Sequence, residues 1–258
     1  KEAEDYTASM KEIKSSKSYD TTEILARSAS IKHLGQLMMP IRTLLSERLD
    51  SKMVKKIDDL LVRVRKGVDQ NPASDSRDML IFCHEMVRQV YAEGSKPANA
   101  AKPEDQRRAR FLIASEQKAN RKGATTSYLF KLSSFALSLV RKVVRRHEDL
   151  QTAANMAGYL PIVGDAIVGS QEEVKIAAAR LITTIIRVPL PAIEANAPVY
   201  LKEAVNMIKS STSSTTDSAK AGLDLVTAVL REKRSVKVRE NDIAVLLKTL
   251  KQDLDEPD

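Results

Sequence analysis

The residues with the clearest potential for chemistry are the basic side chains between Lys102 and Arg146. This segment holds twelve Lys and Arg residues against three acidic residues, whereas the formal net charge of the whole chain is +8. The rest of the chain is therefore close to neutral. Lys and Arg side chains bind phosphates through charge, so this segment is predicted to contact RNA or another anion. The candidate contact residues fall into two groups, Arg107, Arg108, Arg110, Lys118, Arg121 and Lys122 in the first and Arg141, Lys142, Arg145 and Arg146 in the second.

Each basic group also has a structural interpretation. Residues 141–146 close a predicted helix, where cations favour the negative end of the helix dipole. The group at 107–122 follows no helical or strand period and is equally typical of a solvated loop. Aromatic residues nearby are few (Phe111, Tyr128 and Phe130), so base stacking is weakly supported. The composition better fits contact with a duplex backbone or with an acidic protein surface.

The remaining reactive side chains form no recognisable catalytic or metal-binding pattern. Cys83 and His84 are adjacent and point about 100° apart on a helix, so they do not form a nucleophile–base pair. Cys83 is interpreted as a buried structural residue, and with no second cysteine no zinc site is predicted. The stretch GDAIVGS at 164–170 lacks the Gly-Lys-Ser/Thr ending of a phosphate-binding loop and is interpreted as the loop end of a helix.

Two pairs of neighbouring acidic residues, Asp58–Asp59 and Glu172–Glu173, are interpreted as surface charges of helices and not as acid–base pairs. We therefore expect no enzymatic activity, no cofactor and no bound metal.

The composition indicates a helical protein. Hydrophobic residues make up 43% of the chain and charged residues 29%, as in ordinary soluble proteins. Only 4% of residues are aromatic and only 8 are glycine, which argues against a turn-rich all-β fold. A single cysteine excludes an internal disulfide and fits a reducing compartment such as the cytosol or nucleus. No apolar run of about 18 residues is free of charge, so no transmembrane helix is predicted.

Helical periodicity defines the elements that must position the basic residues. From Thr21 onward the pattern is helical, and Ile24, Leu25, Ser28, Ile31 and Leu34 are predicted to share one face at spacings of three and four. Two further predicted core faces are Val54, Ile57, Leu60, Leu61, Val64 and Val68 in one helix, and Leu129, Leu132, Phe135, Ala136, Leu139 and Val143 in a helix at about 126–146.

The predicted organisation has four parts. A polar leader at 1–20 precedes helical repeats at 21–92, a basic linker or loop follows at 93–125, and further helical repeats occupy 126–258. The chain begins without Met and ends directly after an apolar helix pattern. We therefore expect it to be a fragment of a longer protein.

Three stretches of the chain share one plan. Pro40 begins Pro-Ile, a short helical segment, a polar break and then Val-Lys, and Pro161 begins the same order. From Pro198 the plan recurs with a longer loop. Helical hairpins repeated about every 40 residues are typical of HEAT and armadillo arrays. The predicted fold class is thus all-α, a superhelical stack of HEAT- or armadillo-like hairpins, and an irregular antiparallel helix bundle is the alternative.

Four co-linear stretches resemble a known family: NPASDSRDMLIFCHEMV (71–87), RVPLPAIEANA (187–197), LVTAVLREKRSVKV (225–238) and KVRENDIAVLLKTLKQDLDEPD (237–258). They are similar to a C-terminal part of the U3 small nucleolar RNA-associated protein 20 family, also called down-regulated in metastasis. The resemblance covers most of 37–92 and 126–258 and is weakest at 1–20 and 93–125.

The resemblance implies a very long helical-repeat scaffold of the small-subunit processome, the nucleolar pre-ribosome. It implies no catalytic residues. It also implies a nuclear and nucleolar location, with processome proteins, precursor ribosomal RNA and the U3 particle as partners in 18S rRNA maturation, and no membrane.

The main alternative is a karyopherin-like or other HEAT-repeat adaptor between proteins. Karyopherins tend to be acidic, so the basic charge of this chain counts against that alternative.

Overall fold

The computed structural model describes residues 17–47, 49–94, 128–233 and 236–255. Eleven α-helices and no strand occur in these ranges, which confirms the predicted all-α class. The helices are α1 (17–28), α2 (Ile31–Ser46), α3 (Ser51–Asp69), α4 (Arg77–Gly94), α5 (Phe130–Arg146), α6 (Ala153–Met156), α7 (Tyr159–Val168), α8 (Glu172–Ile185), α9 (Pro191–Ser210), α10 (Asp217–Glu232) and α11 (Glu240–Asp255). Short 3-10 turns lie at Pro72–Ser74 and Glu148–Leu150.

The helices stack in two rows. One row, which we call the inner row, consists of α3, α5, α8 and α10, each in contact with the next. The other row consists of α2, α4, α7, α9 and α11, again in consecutive contact. Within the described ranges, the rows are joined most extensively by α4 with α5, α7 with α8 and α9 with α10. Such a stack of hairpins, each packed only on its neighbours, is an α-solenoid and confirms the predicted architecture.

Ion pairs show that neighbouring inner-row helices run parallel. Lys131 near the start of α5 pairs with Asp58 in the first half of α3, at 2.8 Å. Near the other end of the two helices, Lys142 of α5 pairs with Asp69 of α3. Parallel neighbours place equivalent turns of successive helices side by side. Surface residues from different repeats can therefore meet along this row.

Side chains fix the ends of several helices. Asp50 accepts a hydrogen bond from the Met53 amide at 2.6 Å and so begins α3. Glu172 and Glu173 lie in the first turn of α8, where their negative charge is stabilised by the positive end of the helix dipole. Nearby side chains therefore help to fix where α3 and α8 begin, each being the second helix of its hairpin.

The buried Asn71, just after α3, binds the chain where α1 ends. Its side-chain amide donates to the carbonyl oxygens of Ala26 and Ala29, at 2.8 and 2.6 Å, just where α1 ends. Its carbonyl oxygen accepts from the Ala73 amide and starts the following turn. One side chain therefore satisfies backbone groups from two distant segments, as buried polar groups require.

The predicted core faces of α3 and α5 are confirmed at their centres. Ile57, Leu61, Val64 and Val68 of α3 are buried, while Val54 and Leu60 are half-buried at its edge. All six residues of the predicted face are buried, Leu129 just before α5 and the other five, from Leu132 to Val143, within it. The period of 3.6 residues thus located the apolar stripe of each helix.

Small residues permit close contacts between helices. Ala177, Ala178 and Ala179 are buried on α8, which packs against α5, α7 and α10. Gly222 of α10 lies against α9: a Cβ there would be 2.8 Å from the Ala204 carbonyl oxygen. The backbone of α10 at Gly222 therefore lies directly against α9, at a distance that only glycine allows.

Two sequence interpretations need correction. The predicted continuous face from Ile24 to Leu34 is wrong, because the helix breaks at Ala29–Ser30 and both Ile24 and Leu25 are 53% exposed. Ala26 turns inward instead and is fully buried. The interpretation of GDAIVGS as a loop end holds only for its last residues, since Gly164 lies within α7 and Gly169 follows its end.

The predicted four-part division of the chain remains a prediction. Helix α1 already includes residues 17–20 of the proposed leader, and α4 extends to residue 94. The rest of the linker predicted at 93–125 lies outside the described residues. No helix in the described part of the chain combines the length and apolarity needed to cross a lipid bilayer.

Candidate functional site: a basic groove on the inner row

A groove of about 640 Å³ lies along the inner row and draws residues from α3, α5, α8 and α10. Six basic side chains line it against two carboxylates, so its surface is strongly positive. We call it the basic groove. Its charged lining residues are Arg65, Arg141, Lys142, Arg145, Arg146, Arg180, Glu173 and Asp217. The groove joins the second predicted anion-binding group to basic residues from two other helices.

Two of the predicted contact residues fasten α5 to α3. Lys142 pairs with the Asp69 carboxylate. The guanidinium of Arg146 donates to Asp75 at 2.8 Å and to the Asp69 carbonyl oxygen at 3.2 Å. Their charges are therefore partly neutralised within the protein. Arg146 also lies in the last turn of α5, where the negative end of the helix dipole stabilises a cation. Its position at the helix end therefore has a structural role, as the sequence indicated.

The other basic residues of α5 are not neutralised in this way. Among the described residues, no carboxylate lies within ion-pair distance of Arg65, Arg141 or Arg145. The Nε atoms of Arg65 and Arg141 are buried and have no acceptor in the described part of the chain. The Arg65 guanidinium instead lies over the Phe135 ring, 5.8 Å from its centroid. These three arginines supply the uncompensated charge of the groove.

The surroundings disfavour the charged form of two of these arginines. Burial lowers the pKa of Arg65, and nearby Asp69 offsets this only in part. Burial also lowers the pKa of Arg141, with further lowering from the positive charges of Arg145 and Arg180, against a smaller effect of Asp224. Like charges held close together away from water raise the free energy of the folded protein. A bound anion would relieve that cost.

The two carboxylates of the groove already have partners. Asp217 pairs with Arg180 at 2.7 Å. Glu173 pairs at 3.0 Å with Lys131, whose side chain is only 6% exposed and which also binds Asp58. Burial lowers the pKa of Lys131, but hydrogen bonds with Asp58 and Glu173 outweigh burial and raise it. Neither carboxylate is left to neutralise Arg141 or Arg145.

Sequence reasoning missed Arg65, Arg180 and the bridge made by Lys131. Asp58 and Glu173 are helix charges as predicted, yet both bind one buried lysine between two repeats. Repeat spacing could have placed Arg180 beside Arg141, because Arg180 follows Arg141 by 39 residues and the predicted repeat length is about 40. Arg65 carries no such signal, because its position depends on how α3 packs beside α5.

The first predicted anion-binding group, Arg107, Arg108, Arg110, Lys118, Arg121 and Lys122, lies outside the described residues.

The structure explains why Cys83 and His84 form no reactive pair. Cys83 is fully buried, and burial raises the pKa of its thiol to about 12. His84 lies on another side of α4, with Nε2 3.2 Å from the Gly158 carbonyl oxygen and its ring edge-on to Tyr159. Over the described ranges, no group of three or more His, Cys, Asp and Glu residues is arranged to hold a metal ion.

Fold and groove together define the chain as part of a helical-repeat solenoid with a basic inner face. Comparison with known proteins then gives its relationship. The family described as U3 small nucleolar RNA-associated protein 20 domain matches residues 1–87. U3 small nucleolar RNA-associated protein 20 of Schizosaccharomyces pombe is 32% identical over 260 residues, and its namesake in Saccharomyces cerevisiae is 30% identical over 264 residues.

Both alignments cover all of this chain and 10% of the relative, so the chain spans about a tenth of the length of the curated relatives it matches. The chain is therefore similar over its full length to a segment of U3 small nucleolar RNA-associated protein 20, and its residues 1–87 match the domain family of that name. The matched region includes residues 1–20, although the resemblance was expected to be weakest there.

Proposed function

We propose that this chain is a non-catalytic scaffold segment of a ribosome-biogenesis factor. Its role is to hold proteins and precursor ribosomal RNA together in the small-subunit processome during 18S rRNA maturation, in the nucleolus. The names of its relatives, which refer to association with the U3 small nucleolar RNA, support a role in ribosome biogenesis.

The observation that carries the proposal is the two-row solenoid with a basic inner row. A solenoid offers a long rigid surface on which several partners can bind side by side, since each repeat adds to the same face. The charge of the inner row suits a polyanion such as RNA. A scaffold needs such surfaces and no catalytic constellation.

Affinity purification of the full-length protein from cells tests the scaffold role. Precursor 18S rRNA, the U3 RNA and processome proteins should co-purify with it. Replacement of the gene by a version lacking residues 128–233 should reduce this recovery and cause unprocessed precursor rRNA to accumulate. Recovery of the intact protein free of pre-ribosomal particles would refute the proposal.

The basic group at 107–122 is proposed as a second RNA contact. Substitution of Ser for Arg107, Arg108, Arg110, Lys118, Arg121 and Lys122 should weaken RNA binding at low salt and reduce its salt dependence, because each lost phosphate contact removes one released counterion. RNA affinity measured by filter binding over a range of salt concentrations checks this. Unchanged affinity at low salt would remove the segment from the RNA-contacting surface.

A further inference from the structure

We propose that the basic groove is a binding site for the phosphate backbone of double-stranded RNA, with Arg65, Arg141 and Arg145 as its contacts. This inference rests on the proposed role in ribosome biogenesis and assigns a specific ligand class to one surface of the scaffold. The three residues come from two parallel helices of the inner row, α3 and α5.

The division of charge inside the groove selects these three residues. Lys142, Arg146 and Arg180 are each engaged by a carboxylate of the protein itself. Arg65, Arg141 and Arg145 have no ion-pair partner among the described residues. The first set holds the helices in register, and the second set is left to bind a ligand.

Hydrogen bonding points the same way. Arg65 and Arg141 each carry a buried Nε donor that no described residue accepts, although buried polar groups normally find a partner. A phosphate oxygen is a strong acceptor for a guanidinium, and the planar donor fork of arginine matches phosphate geometry. Since the Nε atoms are themselves covered, what the open groove offers to a phosphate is the charge of these two guanidinium groups, which no described carboxylate neutralises.

The crowding of charge explains how binding is favoured. Arg141 lies close enough to Arg145 and Arg180 for their charges to oppose its own, in a half-buried position. The protein bears this repulsion whenever the groove is empty. An incoming phosphate converts the repulsion into attraction, so binding relieves a destabilisation that the folded protein already carries.

The lining also selects duplex over single-stranded RNA. Single-strand binding sites stack bases on exposed aromatic rings, and no described residue that lines the groove is aromatic. The ring of Phe135 is covered by Arg65 and is itself buried. Recognition by charge alone, without base stacking, suits the regular backbone of an A-form duplex.

The test compares two triple substitutions in the full-length protein. The groove variant is Arg65→Gln, Arg141→Gln and Arg145→Gln. The control variant removes the same number of charges from exposed positions on the other row, Arg77→Gln, Arg88→Gln and Lys202→Gln. Affinities for an RNA duplex of about 16 base pairs, and for one of its strands alone, are measured by fluorescence anisotropy across a salt series.

We expect the groove variant to bind the duplex at least about tenfold more weakly. The slope of log affinity against log salt should fall by about one for each arginine removed. The control variant and the single-strand affinity should change little. A variant with Lys at the three groove positions keeps the charge and should retain most of the salt slope.

Folding of the groove variant is verified by its melting temperature, which should change little, because none of the three arginines forms an ion pair with a described residue. Equal weakening by the control variant, or stronger binding of the single strand through the groove arginines, would overturn the inference. The inference would also be overturned if binding of a polyglutamate peptide depended on these three arginines while binding of the RNA duplex did not. If the groove variant still co-purifies with pre-ribosomal particles while duplex binding is unaffected, only this inference fails and the scaffold proposal stands.

Discussion

Cys83 shows how burial decides the chemistry of a single residue. Its side chain is fully buried in α4 and its thiol pKa is raised to about 12, so the reactive thiolate is scarce at neutral pH. We expect native protein to resist alkylation of Cys83 by iodoacetamide at pH 8 and denatured protein to react fully. Mass spectrometry of the peptide that contains Cys83 measures the modification. Equal rates in both states would contradict the burial seen here.

Asp75 gives a pH dependence whose sign follows from its neighbours. Burial raises the pKa of Asp75, but the hydrogen bond from Arg146 and the nearby His147 ring, whose Nε2 lies 3.2 Å from the carboxylate, outweigh burial and lower it below its usual value. A lowered pKa stabilises the fold above the unfolded value of about 3.9, and this stabilisation is lost as the pH falls further. We expect Asp75→Asn to reduce the free energy of unfolding by about 1 kcal/mol or less at pH 7, because the pair is partly solvated.

The difference between wild type and Asp75→Asn should shrink at pH 3, as measured by urea denaturation at both pH values. Asp149→Asn is the matched control, since Asp149 is exposed and forms no ion pair within the described ranges. An equal effect of both substitutions, or a difference that grows toward pH 3, would contradict the assigned role of Asp75.

At the residue scale, sequence reasoning recovered side chains whose role depends on local context. The buried cysteine and the basic end of α5 both follow from neighbours within a few turns. Arg65 and Lys131 were missed because their partners lie on helices far away in sequence. The sequence therefore predicts only some of the residues that line the basic groove.

At the element scale, Gly222 controls the packing of the α9–α10 hairpin. A Cβ at Gly222 would meet the Ala204 carbonyl oxygen at 2.8 Å and Ile208 Cγ1 at 2.9 Å. We expect Gly222→Val to force the two helices apart and to reduce the free energy of unfolding by about 1–3 kcal/mol. Thermal or urea denaturation measures the change.

Gly164 provides the control for this substitution. It lies within α7, and a Cβ added there would meet no neighbouring side chain or backbone atom within 4 Å. Gly164→Ala should therefore stabilise the helix by roughly 0.5–1 kcal/mol. Destabilisation by Gly164→Ala, or tolerance of Gly222→Val, would show that the close contact between α9 and α10 is wrong.

Hairpin order was predictable because turn and cap residues act locally. The plan starting at Pro40 reappears as α2 and α3, the one at Pro161 as α7 and α8, and the one at Pro198 as α9 and α10. The break between α1 and α2 was not foreseen. Asn71, more than forty residues later, binds the carbonyls that end α1, and no local pattern reports such a contact.

At the scale of the whole molecule, stability depends on contact between successive repeats. Leu181 is fully buried on α8, which contacts helices from both rows. We expect Leu181→Asp to destabilise the stack by several kcal/mol, because an unpaired charge would be buried in the core. In a solenoid the loss should spread to the neighbouring repeats.

Protease cleavage mapped by mass spectrometry, together with thermal melting, detects this loss for Leu181→Asp. Val168→Asp is the control, since Val168 is 57% exposed at the end of α7 and should tolerate the charge. An unchanged melting temperature for Leu181→Asp would mean that the core face of α8 is misassigned.

The sequence alone determined the all-α class, the repeating hairpins and the concentration of basic charge, because each depends on composition or on spacing within a helix or two. Tertiary structure decided which charges remain available. Packing α3 beside α5 neutralises Lys142 and Arg146 but leaves Arg65, Arg141 and Arg145 together in one groove. Ion pairing and burial depend on distances between helices remote in sequence, and those distances are set only when the repeats stack.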